Sequence, residues 1–183
     1  DAYPAMPEDG YGWEKLFSER MCRHFNEDFG LDVRIARYHN IYGPEGTYDG
    51  GKEKVPAALA RKVAMTADGG EIEVWGDGEQ TRSFLFIDDC VQAVYQLMQS
   101  DFSGPVNIGS EELVSINQLA KICMSAAGKK LSIKHVDGPQ GVRGRNSDNR
   151  LIEEKLNWTP KVSLEEGIKR TYEWINAAIN ATR

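Results

Sequence analysis

Cysteine is scarce in this 183-residue chain: there are three, Cys22, Cys90 and Cys123, scattered and odd in number. That argues against a disulfide framework, and their apolar helical surroundings predict reduced thiols inside the core. Positive charge is also short, with 22 Lys and Arg against 28 Asp and Glu and a net charge of −6, so the composition is not that of a nucleic-acid binder. An acidic chain that binds an anion must do so through a local cluster of Lys and Arg. No apolar run approaches the length of a membrane span, and no basic-then-apolar leader opens the sequence. No membrane partner is expected, and a cytoplasmic location is the default expectation. What is present, 40% hydrophobic, 27% charged and 9% aromatic residues, is the composition of a globular protein the size of one domain or of a piece of a larger one.

The stretch Tyr11-Gly12-Trp13-Glu14-Lys15 organises the rest. Asp9 is a suitable N-cap, and the apolar spacing from Trp13 to Phe25 predicts a helix that stops near Gly30 and places Tyr11 and Lys15 on one face. A phenol, with an ordinary pKa of about 10, is a poor base at neutral pH. A fixed ammonium nearby favours phenolate, so such a pair can take a hydroxyl proton while hydride leaves the same carbon. The alternative is a surface Tyr and Lys on an amphipathic helix.

Downstream, Leu31 to Tyr38 alternates with β-branched residues and predicts a strand, followed by a loop from His39 to Pro44. Helix, strand and a polar loop at the strand's carboxyl end are the grammar of a parallel α/β sheet, where ligands sit beyond those ends. Asn40 is placed either to touch a ligand or to form the turn. Glycine-rich Glu45 to Lys54 leads into a helix over Val55 to Met65. Its neighbourhood carries Lys52, Glu53, Lys54, Arg61 and Lys62, for which solvated side chains are the alternative to a site. Strands are predicted over Glu71–Trp75, before the turn Gly76-Asp77-Gly78, and over Gln80–Asp89, whose last aspartate can cap a helix from about Cys90 to Gln99. Asp88 and Asp89 read as structural, with no metal site implied. A strand at Pro105–Gly109, a Ser115-capped helix to Gly128, a strand at Leu131–Val136 and a helix over Leu164–Ile179 complete the periodic segments. His135 reads as a strand residue without chemistry. Between Gly138 and Arg150 there is no periodicity, only Arg143, Arg145 and Arg150 among glycines and Asn/Asp residues; guanidinium forks beside small residues suit a phosphate, and surface arginine is the alternative.

Taken in order, Tyr11-Gly12-Trp13-Glu14-Lys15, Arg37-Tyr38-His39-Asn40-Ile41-Tyr42-Gly43-Pro44, Gly76-Asp77-Gly78-Glu79-Gln80-Thr81-Arg82-Ser83-Phe84, Phe86-Ile87-Asp88-Asp89 and Val106-Asn107-Ile108-Gly109 resemble the extended short-chain dehydrogenase/reductase family that acts on nucleotide sugars. Gly50–Pro56 and Gly138–Asn149 resemble the branch of that family that epimerises GDP-mannose at C3 and C5. The resemblance implies an α/β fold: the C-terminal part of a Rossmann-type doubly wound parallel sheet, interleaved with a small α/β substrate-binding domain across residues 1–183. It implies NAD as cofactor, GDP-mannose or a related nucleotide sugar as substrate, and a homodimer. Tyr11 becomes the acid/base at the sugar C4 hydroxyl and Lys15 the partner that binds the nicotinamide ribose. Lys54 becomes the residue that exchanges protons beside a transient ketone. Asn40, Glu53, Lys54, Lys62, Gln80, Thr81, Arg82 and Arg145 become substrate contacts, the cationic ones serving the diphosphate.

The pattern also departs from the family. No G-x-x-G-x-x-G-type loop follows an early strand, so the dinucleotide pyrophosphate has no recognisable site, and the resemblance covers only the later half of the family's chain. The family's cysteine partner for Lys54 lies upstream of the tyrosine and has no counterpart in Cys22, Cys90 or Cys123. A fragment that lacks the NAD-binding half and is inactive by itself is the expectation. The alternatives are another nucleotide-sugar epimerase or 4,6-dehydratase, or a non-catalytic nucleotide-sugar-binding or assembly module.

Overall fold

The computed structural model describes residues 5–7, 9–138 and 142–181. Its first helix, α1 (Gly10–Phe29), begins where Asp9 Oδ1 accepts a hydrogen bond from the Gly12 N–H at 2.9 Å and ends at Gly30, which takes the left-handed conformation of a C-cap. The expected cap and stop are both present. What is missing is burial: α1 has no buried residue, and Tyr11, Trp13, Phe17, Phe25 and Phe29 are all exposed. Cys22 is therefore exposed, which corrects the expectation of three core thiols; Cys90 and Cys123 are buried, and the cysteines are free.

Strand β1 (Ile35–Tyr38) is shorter than the alternation from Leu31 suggests. Its parallel partner β6 (Pro105–Ile108) supplies register partners only for Ile35 to Tyr38. Ahead of it, Arg34 is drawn sideways to the Ser100 carbonyl, Nε donating at 2.8 Å. The expected loop after Tyr38 contains a second short strand, β2 (Ile41–Tyr42), parallel to β5 (Leu85–Phe86). Asn40 makes that switch possible with a φ of 46°, in the left-handed region that Asn tolerates better than most residues.

The α2 helix (Val55–Met65) and the strand β3 (Glu71–Trp75) occupy their predicted spans. Residues 80–89 do not form one strand. The chain breaks at buried Phe84 between β4 (Thr81–Ser83) and β5, because the two pieces pair with different neighbours. Asp89 does not cap the following helix either. Phe86 is the N-cap of α3 (Ile87–Gln99), and Asp89 lies inside its first turn, where its Oδ2 accepts from Lys161 N–H at 3.0 Å and Val162 N–H at 2.9 Å. Its structural reading stands on that tie.

A capping box between Ser115 and Gln118 starts α4 (Ile116–Ala127), and left-handed Gly128 ends it. Ser115 also closes β7 (Leu113–Ser115), antiparallel to β4, and β8 (Ser132–Val136) runs parallel to β3. Within the aperiodic 138–150 stretch lie β9 (Gly144–Arg145), parallel to β4, and the start of a short helix α5 (Arg150–Leu156). The long α6 (Leu164–Ala181) comes last.

Two cores result. Leu59 and Val63 of α2, Ile72 and Val74 of β3, Leu119 and Cys123 of α4, and Ile168 and Ile175 of α6 form the larger. Burial drives the Cys123 thiol up to about 12, so it is an inert core group. The smaller unites Leu85, Cys90, Ala93, Leu97, Val106, Ile108, Ile152 and Trp158, hence β5, α3, β6 and α5. Each fully buried Ile or Leu contributes about 1.5–3 kcal/mol, so these contacts, not the exposed α1, account for most of the hydrophobic stabilisation. The chain alternates between the cores: the smaller takes buried residues from 85–108 and 152–158, and the larger takes Phe86 and residues from before, between and after those spans.

Candidate active site

Parallel strands leave backbone groups and loops free at their carboxyl ends. At the ends of β1 and β6 the His39 N–H donates to the Ile108 carbonyl at 3.0 Å, and Gly109 follows. A Cβ on Gly109 would stand 2.5 Å from Ser147 Cβ and 2.8 Å from His39 Cβ, so only glycine lets these segments approach. Asn149 Nδ2 donates to the Gly109 carbonyl at 2.8 Å, Ser147 Oγ donates to Asn149 Oδ1 at 2.7 Å, and the Asn149 N–H donates to Glu111 Oε1 at 3.0 Å. The aperiodic segment is thereby anchored at the mouth of β6.

That anchoring delivers Arg145 to β4. Arg82 and Arg145 are register partners on parallel strands, and so project to the same side of the sheet. Arg82 donates from Nη1 to the Thr81 carbonyl at 2.7 Å and from Nη2 to the Val142 carbonyl. Neither arginine makes an ion pair among the described residues. Burial, and secondarily the charge of Arg145, push the Arg82 guanidinium below its ordinary value. His39 belongs to the same field: burial holds its pKa below the usual imidazole value, a hydrogen bond with Asn107 opposes this, and Arg145 and Arg37 lower it further.

The other two arginines of the aperiodic stretch are engaged. Arg143 Nη1 meets Asp77 Oδ2 at 2.8 Å, joining its loop to the Gly76–Gly78 turn, and Arg150 Nε bonds Asp148 Oδ1 at 3.0 Å. Of the three, Arg145 is the one left for a ligand. Pro139, Gln140 and Gly141, part of the motif on which the resemblance rests, lie outside the described residues.

Thr81, Gln80 and Asn40 are joined to β4 or its start, whereas no contact brings Lys62, Glu53 or Lys54 to the arginine pair among the described residues. Thr81 donates its N–H to the Arg143 carbonyl at 2.9 Å. Gln80 is buried, and its Oε1 has no hydrogen-bond partner among the described residues. Asn40 forms the turn and also donates from Nδ2 to the Ser83 carbonyl at 2.8 Å, which ties the β1 loop to β4. Lys62 donates from Nζ to the Glu73 carbonyl of β3 at 2.7 Å. Glu53 faces Arg61 at 3.4 Å rather than solvent, and the polar influence of its own backbone and that of Gly51, with the Arg61 charge, holds its pKa below the ordinary value. Lys54 is exposed at the N-cap of α2, with no side-chain capping bond.

Tyr11 and Lys15 share a helix face as expected. The Lys15 ammonium lies 5.0 Å from the Tyr11 ring centroid, over the ring rather than at the phenolic oxygen. It is bonded to Glu14 at 3.1 Å, and that carboxylate raises the Lys15 pKa. The helix is joined to the sheet by Glu19, whose two carboxylate oxygens accept from Arg37 of β1 at 2.7 Å each. A cavity of about 230 Å³ beneath it is lined by Trp13, Leu16, Phe17, Glu19 and Pro105 among others. A second, of about 510 Å³, lies between α4 and α6. Neither is lined by a predicted site residue. No role for His39 or for the Ser147–Asn149 anchor is legible in the sequence alone. The only local signal for them was the Asn- and Asp-rich run Asn146-Ser147-Asp148-Asn149. Among the described residues no group of His, Cys, Asp and Glu is arranged to hold a metal, and no helix is long and apolar enough to cross a membrane.

Parallel strand pairs with helices between them define a Rossmann-type α/β protein. Residues 1–109 match the NAD dependent epimerase/dehydratase family, and the chain belongs to that family. It is 57% identical over 179 residues to GDP-mannose 3,5-epimerase of Arabidopsis thaliana, covering 98% of this chain and 47% of that protein, and 55% identical over the same length to GDP-mannose 3,5-epimerase 1 of Oryza sativa subsp. indica. The chain thus spans about half the length of the curated relatives it matches. Among solved structures, UDP-glucose 4-epimerase of Thermotoga maritima with UDP-glucose superposes with a TM-score of 0.87 at 30% identity, covering 98% of this chain and 59% of that one. UDP-glucuronic acid 4-epimerase of Bacillus cereus, in complex with UDP-glucuronic acid and NAD, superposes with a TM-score of 0.80 at 26% identity, covering 94% and 54%.

Proposed function

We propose that this chain supplies the substrate-binding half of an NAD-dependent GDP-mannose 3,5-epimerase, with the strands around β1 and β6 and the larger core acting as interleaved parts of one epimerase domain. The observation that carries the reading is the Arg82–Arg145 pair, two guanidinium groups in register without a carboxylate partner among the described residues, beside the Asn40 turn. Two planar forks on one face suit the two phosphates of a sugar nucleotide. The 57% identity to the plant enzyme, against 35% to a dTDP-4-dehydro-6-deoxy-D-allose reductase, favours GDP-mannose over other nucleotide sugars.

NAD fits this chain at one end. Tyr11 and Lys15, exposed on one helix face, can hold the nicotinamide ribose, whereas no G-x-x-G-x-x-G-type loop between a strand and a helix in this sequence offers aligned N–H groups to its pyrophosphate. When bound, the cofactor supplies an acceptor for the C4 hydride and returns it. Tyr11 takes the C4 hydroxyl proton, with Lys15 stabilising the phenolate, and gives it back at the end. Once C4 is a ketone, the hydrogens on C3 and C5 are acidic, and a base on one face with an acid on the other inverts each centre, Lys54 serving one face and a second group the other, while Arg82 and Arg145 hold the diphosphate. Asn40, Glu53, Gln80 and Thr81 contact the sugar nucleotide, and Lys62 joins the arginines in serving its diphosphate. A cytoplasmic homodimer is the expected setting.

Product analysis of GDP-mannose incubated with the intact protein and NAD tests the reading. GDP-L-galactose and GDP-L-gulose are expected. A 4-keto-6-deoxy sugar, or inversion at C4 alone, would support the runner-up, a 4,6-dehydratase or a 4-epimerase.

A further inference from the structure

Lys54 must meet the sugar at a fixed position, yet the segment before it has little intrinsic order. Gly50 and Gly51 have φ of 91° and 80°, with open space where a Cβ would stand. The Lys54 carbonyl accepts from the Ala58 N–H at 2.9 Å, which fixes Lys54 to α2 but not the residues ahead of it. Arg61 provides the missing constraint. It lies seven residues beyond Lys54, two turns along the same face of α2, and helical side chains lean toward the helix N-terminus. Its Nη2 is 3.4 Å from Glu53 Oε1 and its Nη1 is 3.4 Å from Asp49 Oδ1, so a single guanidinium bridges both sides of the Gly50–Gly51 pair. Nη1 also lies 3.7 Å from Met65 Sδ.

The Glu53 arm is sheltered: the Glu53 and Arg61 side chains are 12% and 25% exposed, against 68% for Asp49. At that contact Arg61 Nε and Glu53 Oε2 are both buried without a hydrogen-bond partner among the described residues. A donor and an acceptor thus stand unpaired in the same ion pair. Elsewhere in the chain the same groups close a two-bond fork, Arg37 on Glu19, at 2.7 Å each. The Arg61–Glu53 contact is that fork left open, with capacity to tighten when the loop meets a ligand.

We infer that Arg61 is a positioning residue: through Asp49 and Glu53 it holds the 49–53 segment and thereby sets Lys54 against the sugar. The inference rests on the reading of Lys54 as the proton-exchange residue. It is tested in the intact protein with GDP-mannose and NAD in heavy water, comparing wild type, Arg61→Ala and Arg61→Lys. Three quantities are read: deuterium entering C3 and C5, the transient NADH absorbance from C4 oxidation, and the unfolding midpoint. Misplacement of a reacting group by about an ångström costs up to roughly 100-fold. Arg61→Ala is accordingly expected to slow deuterium entry by about 10- to 100-fold while the NADH transient persists. Arg61→Lys should recover part of the loss, since an ammonium keeps the charge but not the fork. Deuterium entry at the wild-type rate in Arg61→Ala would overturn the inference. So would a parallel fall of exchange, transient and unfolding midpoint with no recovery in Arg61→Lys, the pattern of a purely structural residue. Should Arg61→Ala not fold, Arg61→Lys decides: slowed exchange with an intact transient supports the inference, and wild-type exchange overturns it. If the wild type itself takes up no deuterium, the Lys54 reading fails before any substitution is made, and this inference fails with it.

Discussion

Arg82 on β4 and Arg145 on β9, far apart in sequence, stand in register across a parallel strand pair and project to one side of the sheet. Among the described residues no carboxylate pairs with either, and adjacent like charges repel, a repulsion that an anionic ligand would relieve. Losing a hydrogen bond to a charged group costs about 1.5–3 kcal/mol, so Arg82→Ala and Arg145→Ala should each weaken GDP-mannose binding about 10- to 100-fold. The double variant should lose less than the product of the two, because both groups act on one diphosphate. Calorimetric titration measures this, and unchanged affinity in either single variant would remove that residue from the site.

Tyr11→Phe deletes proton transfer but no diphosphate contact. In the intact protein turnover is expected to fall by about 100-fold or more, with GDP-mannose affinity retained. Steady-state kinetics beside a binding isotherm separates the two, and turnover like that of the wild type would return Tyr11 and Lys15 to a surface pair.

Asp89 tests the structural side. Its carboxylate is buried and accepts hydrogen bonds from the Lys161 and Val162 N–H groups just ahead of α6, joining α3 to the segment that leads into α6. Asp89→Ala leaves two backbone donors without their acceptor and should lower stability by about 2–3 kcal/mol. Denaturant unfolding reads the loss as a lower midpoint; no shift would show that water replaces the carboxylate freely.

A polypeptide of these 183 residues alone is expected to bind NAD weakly or not at all and to self-associate. The physical grounds are α1, which carries exposed Trp13, Phe17 and Phe29 and has no buried residue, and the lack of a G-x-x-G-x-x-G-type loop between a strand and a helix in this sequence. Calorimetry with NAD and light scattering for mass check both halves. Tight NAD binding by a stable monomer would contradict them.

Elements written in local signals were legible in the sequence. Ser115, Gln118 and Gly128 announce both ends of α4, and the alternation of Glu71 to Trp75 fixes β3. Elements made by distant pairing were not. Residues Gly144–Arg145 are a strand only because β4 lies beside them, and residues 80–89 break at Phe84 because β4 and β5 belong to different sheets. The same division runs through the candidate site. The residue types were readable at Arg82 and Arg145, but the selection of Arg145 over Arg143 and Arg150 depends on Asp77 and Asp148 occupying the other two. Arg61 looked like one more solvated charge on α2, because its use depends on how the Gly50–Gly51 turn brings Asp49 and Glu53 back to it.

The central claim is that Lys54 exchanges protons on both sides of a transient C4 ketone in GDP-mannose. Proton NMR of GDP-mannose with the intact protein and NAD in heavy water tests it most directly. The expected result is deuterium at C3 and C5 and none at C4, where the original hydride returns, with exchange at C3 and C5 suppressed in Lys54→Ala while the NADH transient remains. Deuterium at neither carbon in the wild type, or undiminished exchange in Lys54→Ala, would contradict the account.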